Sequence, residues 1–238
     1  VIATASLRTA FLRTLYPPRC AACDTKLHNG LAGLCAGCLE TCERIDTACP
    51  SCARPMPGNT ASVCIPCTTS PSPLTSCAAC FEFGGQLAVA LRRLKFSGRN
   101  DIAKTLRSVL QERFQQASKT CDVALAIPLH RSRLRQRGFN QAQRLLAPLA
   151  AHQGLPEARS LLRRTRATPA QSRLSRPRRI ANLRDAFDAG TSAKGKRILL
   201  LDDIRTTGAT LEAAAEALRR AGAREIHGFV VARTEWEG

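Results

Sequence analysis

Two rhythms of apolar residues alternate along most of the chain. Runs that are apolar at nearly every position fall at 79–83, 122–127 (DVALAI), 196–201 and 226–232 (IHGFVVA). Short runs of this kind predict strands buried on both faces. Between them, apolar residues recur every three or four positions at 86–95, 101–118, 141–149 and 209–221, the spacing of amphipathic helices. Strands alternating with helices predict an α/β fold over 77–238, a parallel sheet flanked by helices. Upstream the pattern changes. Leu7, Phe11 and Leu15 keep helical spacing, so 1–19 is read as a short amphipathic helix. Residues 20–67 have almost no period, and 68–76, TTSPSPLTS, has the prolines and hydroxyls of a linker.

The stretch 198–210, ILLLDDIRTTGAT, carries the most specific chemistry. Its apolar run predicts a buried strand ending at Asp202 and Asp203, followed by a Thr/Gly loop and a helix. The first N–H groups of a helix lack intrahelical partners and point outward, so a Gly-bearing loop before a helix cradles anions. Gly208 lets the backbone approach a ligand, and Thr206, Thr207 and Thr210 offer hydroxyl donors. Two carboxylates facing a phosphate would repel it. They suit neutral hydroxyls, or Mg2+ held between them and a polyphosphate. Phosphate at the loop and a diol or metal at the acids describe a phosphorylated sugar.

Charge adds a second theme. The chain has 36 Lys+Arg against 18 Asp+Glu, a formal +18, and the excess is concentrated. Residues 131–184 hold fourteen arginines and one acid, Glu157, an electrostatic footprint for a polyanion. No apolar run approaches the ~20 residues of a membrane span. Arg8 and Arg13 interrupt the N-terminal apolar positions, which do not form a signal peptide. A cytoplasmic protein is expected.

The twelve cysteines are spaced for metal. Cys20-x2-Cys23 is followed after eleven residues by Cys35-x2-Cys38; Cys49-x2-Cys52 is followed, again after eleven, by Cys64-x2-Cys67. Every ligand of the first set recurs 29 residues later. Two such turns form the closed four-thiolate shell of structural zinc, so 20–67 is read as a double zinc ribbon with two Zn2+. A segment this small and loop-rich needs metal to fold. Cys42, Cys77, Cys80 and Cys121 are read as reduced thiols outside these sites.

After the predicted strand 122–127 come Arg131, Arg133, Arg135 and Arg137, in a loop where α/β sheets bind ligands. Guanidinium groups fork onto phosphate oxygens, so this loop is the candidate for a pyrophosphate. The four cannot all face one small anion. One or two are expected to read it, while the others join Arg163, Arg164, Arg166, Arg173, Arg176, Arg178 and Arg179 in a nucleic-acid track. Phe139 is the candidate for base stacking. Residues 161–187, rich in Arg, Ser, Thr and Pro, are read as a mobile arm or lid.

Residues 198–210 resemble the signature of type I phosphoribosyltransferases, which bind phosphoribosyl pyrophosphate (PRPP). That resemblance implies Asp202 and Asp203 at the ribose hydroxyls, Arg205, Thr206, Thr207, Gly208, Ala209 and Thr210 around the 5′-phosphate, and Mg2+ with PRPP. Adding the double Cys-x2-Cys ribbon, LKFSGR (94–99), IPLHRSRLRQRGFNQ (127–141) and RTRATPAQSRLSRPRRIANLRDAF (164–187), nearly the whole chain resembles the ComF family of bacterial competence proteins. The resemblance implies a role in DNA uptake, single-stranded DNA binding and a helicase-like partner. Two functions follow: a Mg2+-dependent phosphoribosyltransferase, or a DNA-binding scaffold that keeps the PRPP fold as a ligand sensor. Transfer would rest on positioning and charge stabilisation, and the sequence offers no dedicated nucleophile.

Overall fold

The computed structural model describes residues 17–27, 33–58, 62–168, 183 and 185–234. The expected N-terminal helix and the arginines at 173, 176, 178 and 179 lie outside them.

Four parallel strands form the sheet: β1 (Ser76–Glu82), β2 (Val123–Ala126), β5 (Arg197–Arg205) and β6 (Glu225–Arg233), in the order β1-β6-β5-β2. A second, antiparallel pair, β3 (Leu162–Arg164) and β4 (Phe187–Ala189), stands apart from it. The central strands are apolar throughout because both their faces are covered. Leu199, Leu201, Phe229 and Val231 enter one core, while Ile198, Leu200, Ile226 and Val230 enter the other. The first core is closed by the helices Gly85–Ser97 (numbered α3 below), Asn100–Ser118 (α4) and Gln141–Gln153 (α6). On α4, Ile102, Leu106, Leu110 and Phe114 repeat every fourth residue and are fully buried. Phe114 meets Phe229 edge-on, with centroids 5.3 Å apart. The second core is closed by Ala209–Arg220 (α7), through Leu211, Ala214, Ala215 and Leu218.

Two expectations are corrected. Asp202 and Asp203 do not end their strand: β5 continues through Arg205, because Ile204 and Arg205 still pair with Ala232 and Arg233. The expected arginine loop is a helix, Arg131–Arg137 (α5). His130 caps it by accepting from the Ser132 N–H, and Gly138, in the left-handed region, donates back to the Leu134 carbonyl.

The 29-residue cysteine repeat is also a backbone repeat. Helices α1 (Ala36–Glu40) and α2 (Ile65–Thr69) follow the third cysteine of each set. Asp24 and Ala53, each just after a second cysteine, both have φ near 60°. The first unit docks on α3 and α4: Asp24 receives two bonds from Arg93, at 2.7 and 2.9 Å, and Asp101 accepts from the Gly33 N–H at 3.0 Å. The second lies against β1, where the Cys77 N–H reaches the Pro50 carbonyl at 2.8 Å. Between the units, Arg44 bridges Phe81 in antiparallel fashion and lies along the β1 edge.

Candidate functional site

Because the sheet is parallel, every strand delivers its carboxyl end to the same side, and the residues singled out from sequence gather there. Gly208 begins α7 with φ 88° and supplies no side-chain cap, and the Ala209 N–H makes only a long bond, 3.5 Å, to Thr207 Oγ1, so the first turn presents its N–H groups at the loop. A Cβ on Gly208 would stand 2.5 Å from Arg205 Nη2, so any other residue would have to displace that guanidinium as well as adopt a left-handed φ. Thr206, Thr207 and Thr210 are partly exposed around it, while Ala209 is buried.

Asp203 is 5% exposed, and its Oδ2 has no hydrogen-bond partner. Asp202 Oδ1 accepts from the Asp203 N–H at 2.9 Å. Burial first, and the Asp203 carboxylate second, push the Asp202 pKa well above the usual carboxylate range; Lys95 opposes this. An orphaned buried carboxylate oxygen beside a second acid is a donor set that fits Mg2+ or a diol.

Helix α5 divides its arginines. Arg133 and Arg137, one turn apart, are partly buried on the side of the acids, whereas Arg131 and Arg135 are exposed. Arg137 bonds Gln141 Oε1 at 2.6 Å; burial lowers its pKa, against the pull of Asp203. Arg133 donates to the Thr168 carbonyl at 2.9 Å, and Arg164 donates to the Thr168 hydroxyl at 2.6 Å. Arg164 is 9% exposed and lies over the Phe187 ring. Burial and then Arg133 lower its pKa to about 10, against the attraction of Asp202. Arg164 is thus buried against Phe187 and Thr168. Arg163 is exposed and paired to Asp188 at 2.7 Å, and Arg166 is exposed.

Phe139 is only partly exposed, with the Arg144 guanidinium 3.5 Å from its ring centroid. The open ring is Phe96, 73% exposed, with Arg137 at 5.5 Å and Lys95 at 5.8 Å from its centroid. Sequence reasoning passed over it because a lone Phe at the end of an amphipathic helix looks like core. Its flanking Lys95 was the available signal.

The cysteines assemble into two clusters, Cys20/Cys23/Cys35/Cys38 and Cys49/Cys52/Cys64/Cys67, with all sulfurs of each within 4.8 Å of one another. The Cys23–Cys35 and Cys52–Cys64 sulfurs are 3.8 and 3.7 Å apart. Four thiolates at ~2.3 Å from one zinc stand ~3.8 Å apart by tetrahedral geometry. Disulfide bonds are far shorter. Backbone N–H groups of Cys35 and Cys64 donate to Cys20 and Cys49 sulfurs at 3.4 Å, as thiolate ligands require. Among the described residues Cys42, Cys77, Cys80 and Cys121 stand outside both clusters.

Comparison with known proteins agrees with this arrangement. Residues 134–235 match the phosphoribosyl transferase domain family. DNA utilization protein YhgH of Escherichia coli O157:H7 is 30% identical over 223 residues, covering 92% of this chain and 98% of its own. Competence protein ComFC of Streptococcus pneumoniae is 30% identical over 213 residues, covering 87% and 90%. The chain belongs to the ComF family. Competence protein F of Haemophilus influenzae, another member, is 29% identical over 223 residues, 90% of this chain and 96% of its own. ComF membership joins the two halves described above, a phosphoribosyltransferase-type sheet and a pair of four-cysteine units. Among solved structures, a hypoxanthine phosphoribosyltransferase from Staphylococcus aureus overlaps 57% of this chain and 76% of its own at TM-score 0.34 and 13% identity, too distant to add to the argument.

Proposed function

We propose that this ComF-family protein binds PRPP, or a closely related phosphorylated sugar, and single-stranded DNA, and acts in DNA uptake or utilisation, where a helicase-like protein would be its partner. The observation that carries the sugar half is the orphaned buried oxygen of Asp203 at the head of an uncapped Thr/Gly loop. In this reading the loop N–H groups and Thr206, Thr207 and Thr210 hold the 5′-phosphate. Asp202 and Asp203 take the ribose hydroxyls and Mg2+, and Arg133, Arg137 and Arg164 face the pyrophosphate. Mg2+ would neutralise charge on the pyrophosphate, and the arginines would orient it without water. The DNA half is supported by the names of the relatives, the basic excess, and Phe96 set between two cations as a stacking platform.

Calorimetric titration with PRPP and Mg2+ tests the first half. Binding is expected in the parent and is expected to disappear in the Asp202→Asn, Asp203→Asn double variant, with the fold intact by circular dichroism. Equal affinity in both would move the cradle elsewhere. For the second half, Phe96→Ala is expected to weaken binding of a fluorescent single-stranded oligonucleotide by ~1–3 kcal/mol, the usual loss of one stacked base. A transferase and a ligand-gated scaffold share the PRPP step. Release of pyrophosphate from bound PRPP, assayed with and without single-stranded DNA, distinguishes them.

A further inference from the structure

Two buried arginines separate the phosphate loop from the second cysteine cluster. Arg205 is 3% exposed and Arg233 is 6% exposed. Arg205 Nη2 meets Glu212 Oε1 at 2.7 Å, and its guanidinium fills the space over Gly208. Arg233 Nη1 donates to the Thr206 carbonyl at 3.2 Å. Both side chains therefore brace the loop directly. Arg205 Nε, Arg205 Nη1 and Arg233 Nε nevertheless have no hydrogen-bond partner. A cavity of about 40 Å³ lies here, and Cys52, Cys64, Cys67 and Arg54 line it together with both arginines.

Charge bookkeeping makes this arrangement informative. Two buried arginines against Glu212 leave one buried positive charge without a carboxylate partner, and half-buried Arg54 lines the same cavity. Uncompensated buried charge is strongly unfavourable. Four neutral thiols offer nothing to balance it. Four thiolates around Zn2+ carry a net negative charge, the sign the arginines need. The first cluster differs: it is held on α3 and α4 through Asp24, Arg93 and Asp101, and no described bond joins it to the loop.

We propose that the zinc–thiolate cluster of Cys49, Cys52, Cys64 and Cys67 is the counter-charge that seats Arg205 and Arg233, and through them fixes the phosphate loop. Metal in the second ribbon is thereby linked to anion binding, while metal in the first is not. The link to anion affinity rests on the PRPP reading above; the link between arginines and zinc does not. Such coupling is reciprocal, so each side reports on the other.

The experiment uses the full chain carrying Cys23→Ser, which leaves only the second ribbon competent for zinc. Zinc transfer to a chromogenic chelator is compared between this protein and the same protein with Arg205→Met and Arg233→Met. The arginine-free form is expected to hold zinc ~10–100-fold more weakly, the usual effect of removing groups that support metal ligands. Arg205→Lys, which keeps the charge, is expected to retain zinc much more firmly than Arg205→Met. Equal loss in the Lys and Met forms would make the role one of packing and overturn the proposal, as would unchanged zinc retention in the double variant. In the second arm, Cys64→Ser is expected to weaken PRPP binding by about tenfold, within the usual range of coupling between sites. Cys23→Ser is expected to leave it within about twofold, the change expected for an uncoupled site. A folded Cys64→Ser protein with parental affinity would break the link to the loop. If the parent itself binds no PRPP, the sugar reading fails and the zinc arm alone decides this one.

Discussion

Asp202 is placed where folding and ligand binding make opposite demands. Burial and the neighbouring Asp203 carboxylate disfavour its charge and raise its pKa in the folded protein, whereas in the unfolded chain it returns to the ordinary ~3.9. The ligand-free folded state therefore holds the proton more tightly than the unfolded state does. Its stability falls as pH rises from about 4 towards the raised folded pKa. Asp202→Asn is expected to remove that slope and to raise the Tm near neutral pH, by ~2–4 °C for each kcal/mol of strain relieved. Melting curves between pH 4 and 8 without Mg2+ or PRPP check it. A variant that melts below the parent at pH 7 would mean that Asp202 is already compensated. The acids, the threonines and Gly208 were legible in sequence because they lie in one continuous stretch, from the end of β5 to the start of α7. Arg205 was legible only as part of that stretch. Its place beside Cys52 depends on a ribbon near the other end of the chain, which no local pattern encodes.

At the scale of elements, α5 shows why a run of arginines misleads. Four arginines at alternate positions, with one Leu among them, give no apolar period, so the segment reads as a loop. Its caps were nonetheless in view, since His130 and Gly138 bracket a stretch of good helix formers. Helical geometry then sorts the side chains by turn. Arg133 reaches Thr168 and Arg137 lies towards Asp203, while Arg131 and Arg135 face solvent. Replacing Arg133 and Arg137 by Ala is expected to weaken binding of PRPP, and of pyrophosphate alone, by about tenfold or more, since charge-assisted contacts are lost. Replacing Arg131 and Arg135 is expected to spare PRPP. It should flatten the log–log salt dependence of single-strand binding by up to ~1.4, at ~0.7 for each phosphate contact. Calorimetry and fluorescence anisotropy on both pairs read the division; identical losses in the two pairs would remove it. The flanking strands and helices were easier to foresee, because burial on two faces leaves a continuous apolar run and burial on one leaves every third or fourth residue.

At the scale of the whole molecule, the second cysteine cluster meets the carboxyl end of the sheet, where Cys52, Cys64 and Cys67 share a cavity with Arg205, Thr206 and Arg233. With both clusters loaded, eight thiolates (−8) and two Zn2+ (+4) bring the formal +18 to +14, and the remaining excess still centres on 131–184. The cysteine units are tied into the sheet through Arg44 with Phe81 and through Pro50 with Cys77, so chelation is expected to act beyond residues 20–67. Metal analysis of reduced protein should give about two zinc ions per chain, and stripping them should lower the Tm of the whole domain. A sheet that melts unchanged without zinc would make the ribbons mere appendages.

The basic stretch poses the last question at this scale, whether it serves the sugar pocket or a strand of DNA. Strands β3 and β4 flank its later part in sequence, and β3 ends at Arg164, whose charge already acts on Asp202. Arg173, Arg176, Arg178 and Arg179 fall between these strands in sequence. Cations committed to a sugar pyrophosphate act at short range and at fixed positions. Cations committed to a nucleic-acid backbone release counterions, and so leave a signature in salt. Arg176→Ala, Arg178→Ala and Arg179→Ala together are expected to flatten the salt slope for single-stranded DNA by up to ~2 units and to weaken all sequences alike. PRPP affinity should stay close to that of the parent. Loss of PRPP binding with an unchanged salt slope would instead assign the stretch to the pocket, as a lid over the pyrophosphate. If neither quantity moves, the three charges form a solvated face, and the track must be sought among Arg131, Arg135 and the cations around Phe96.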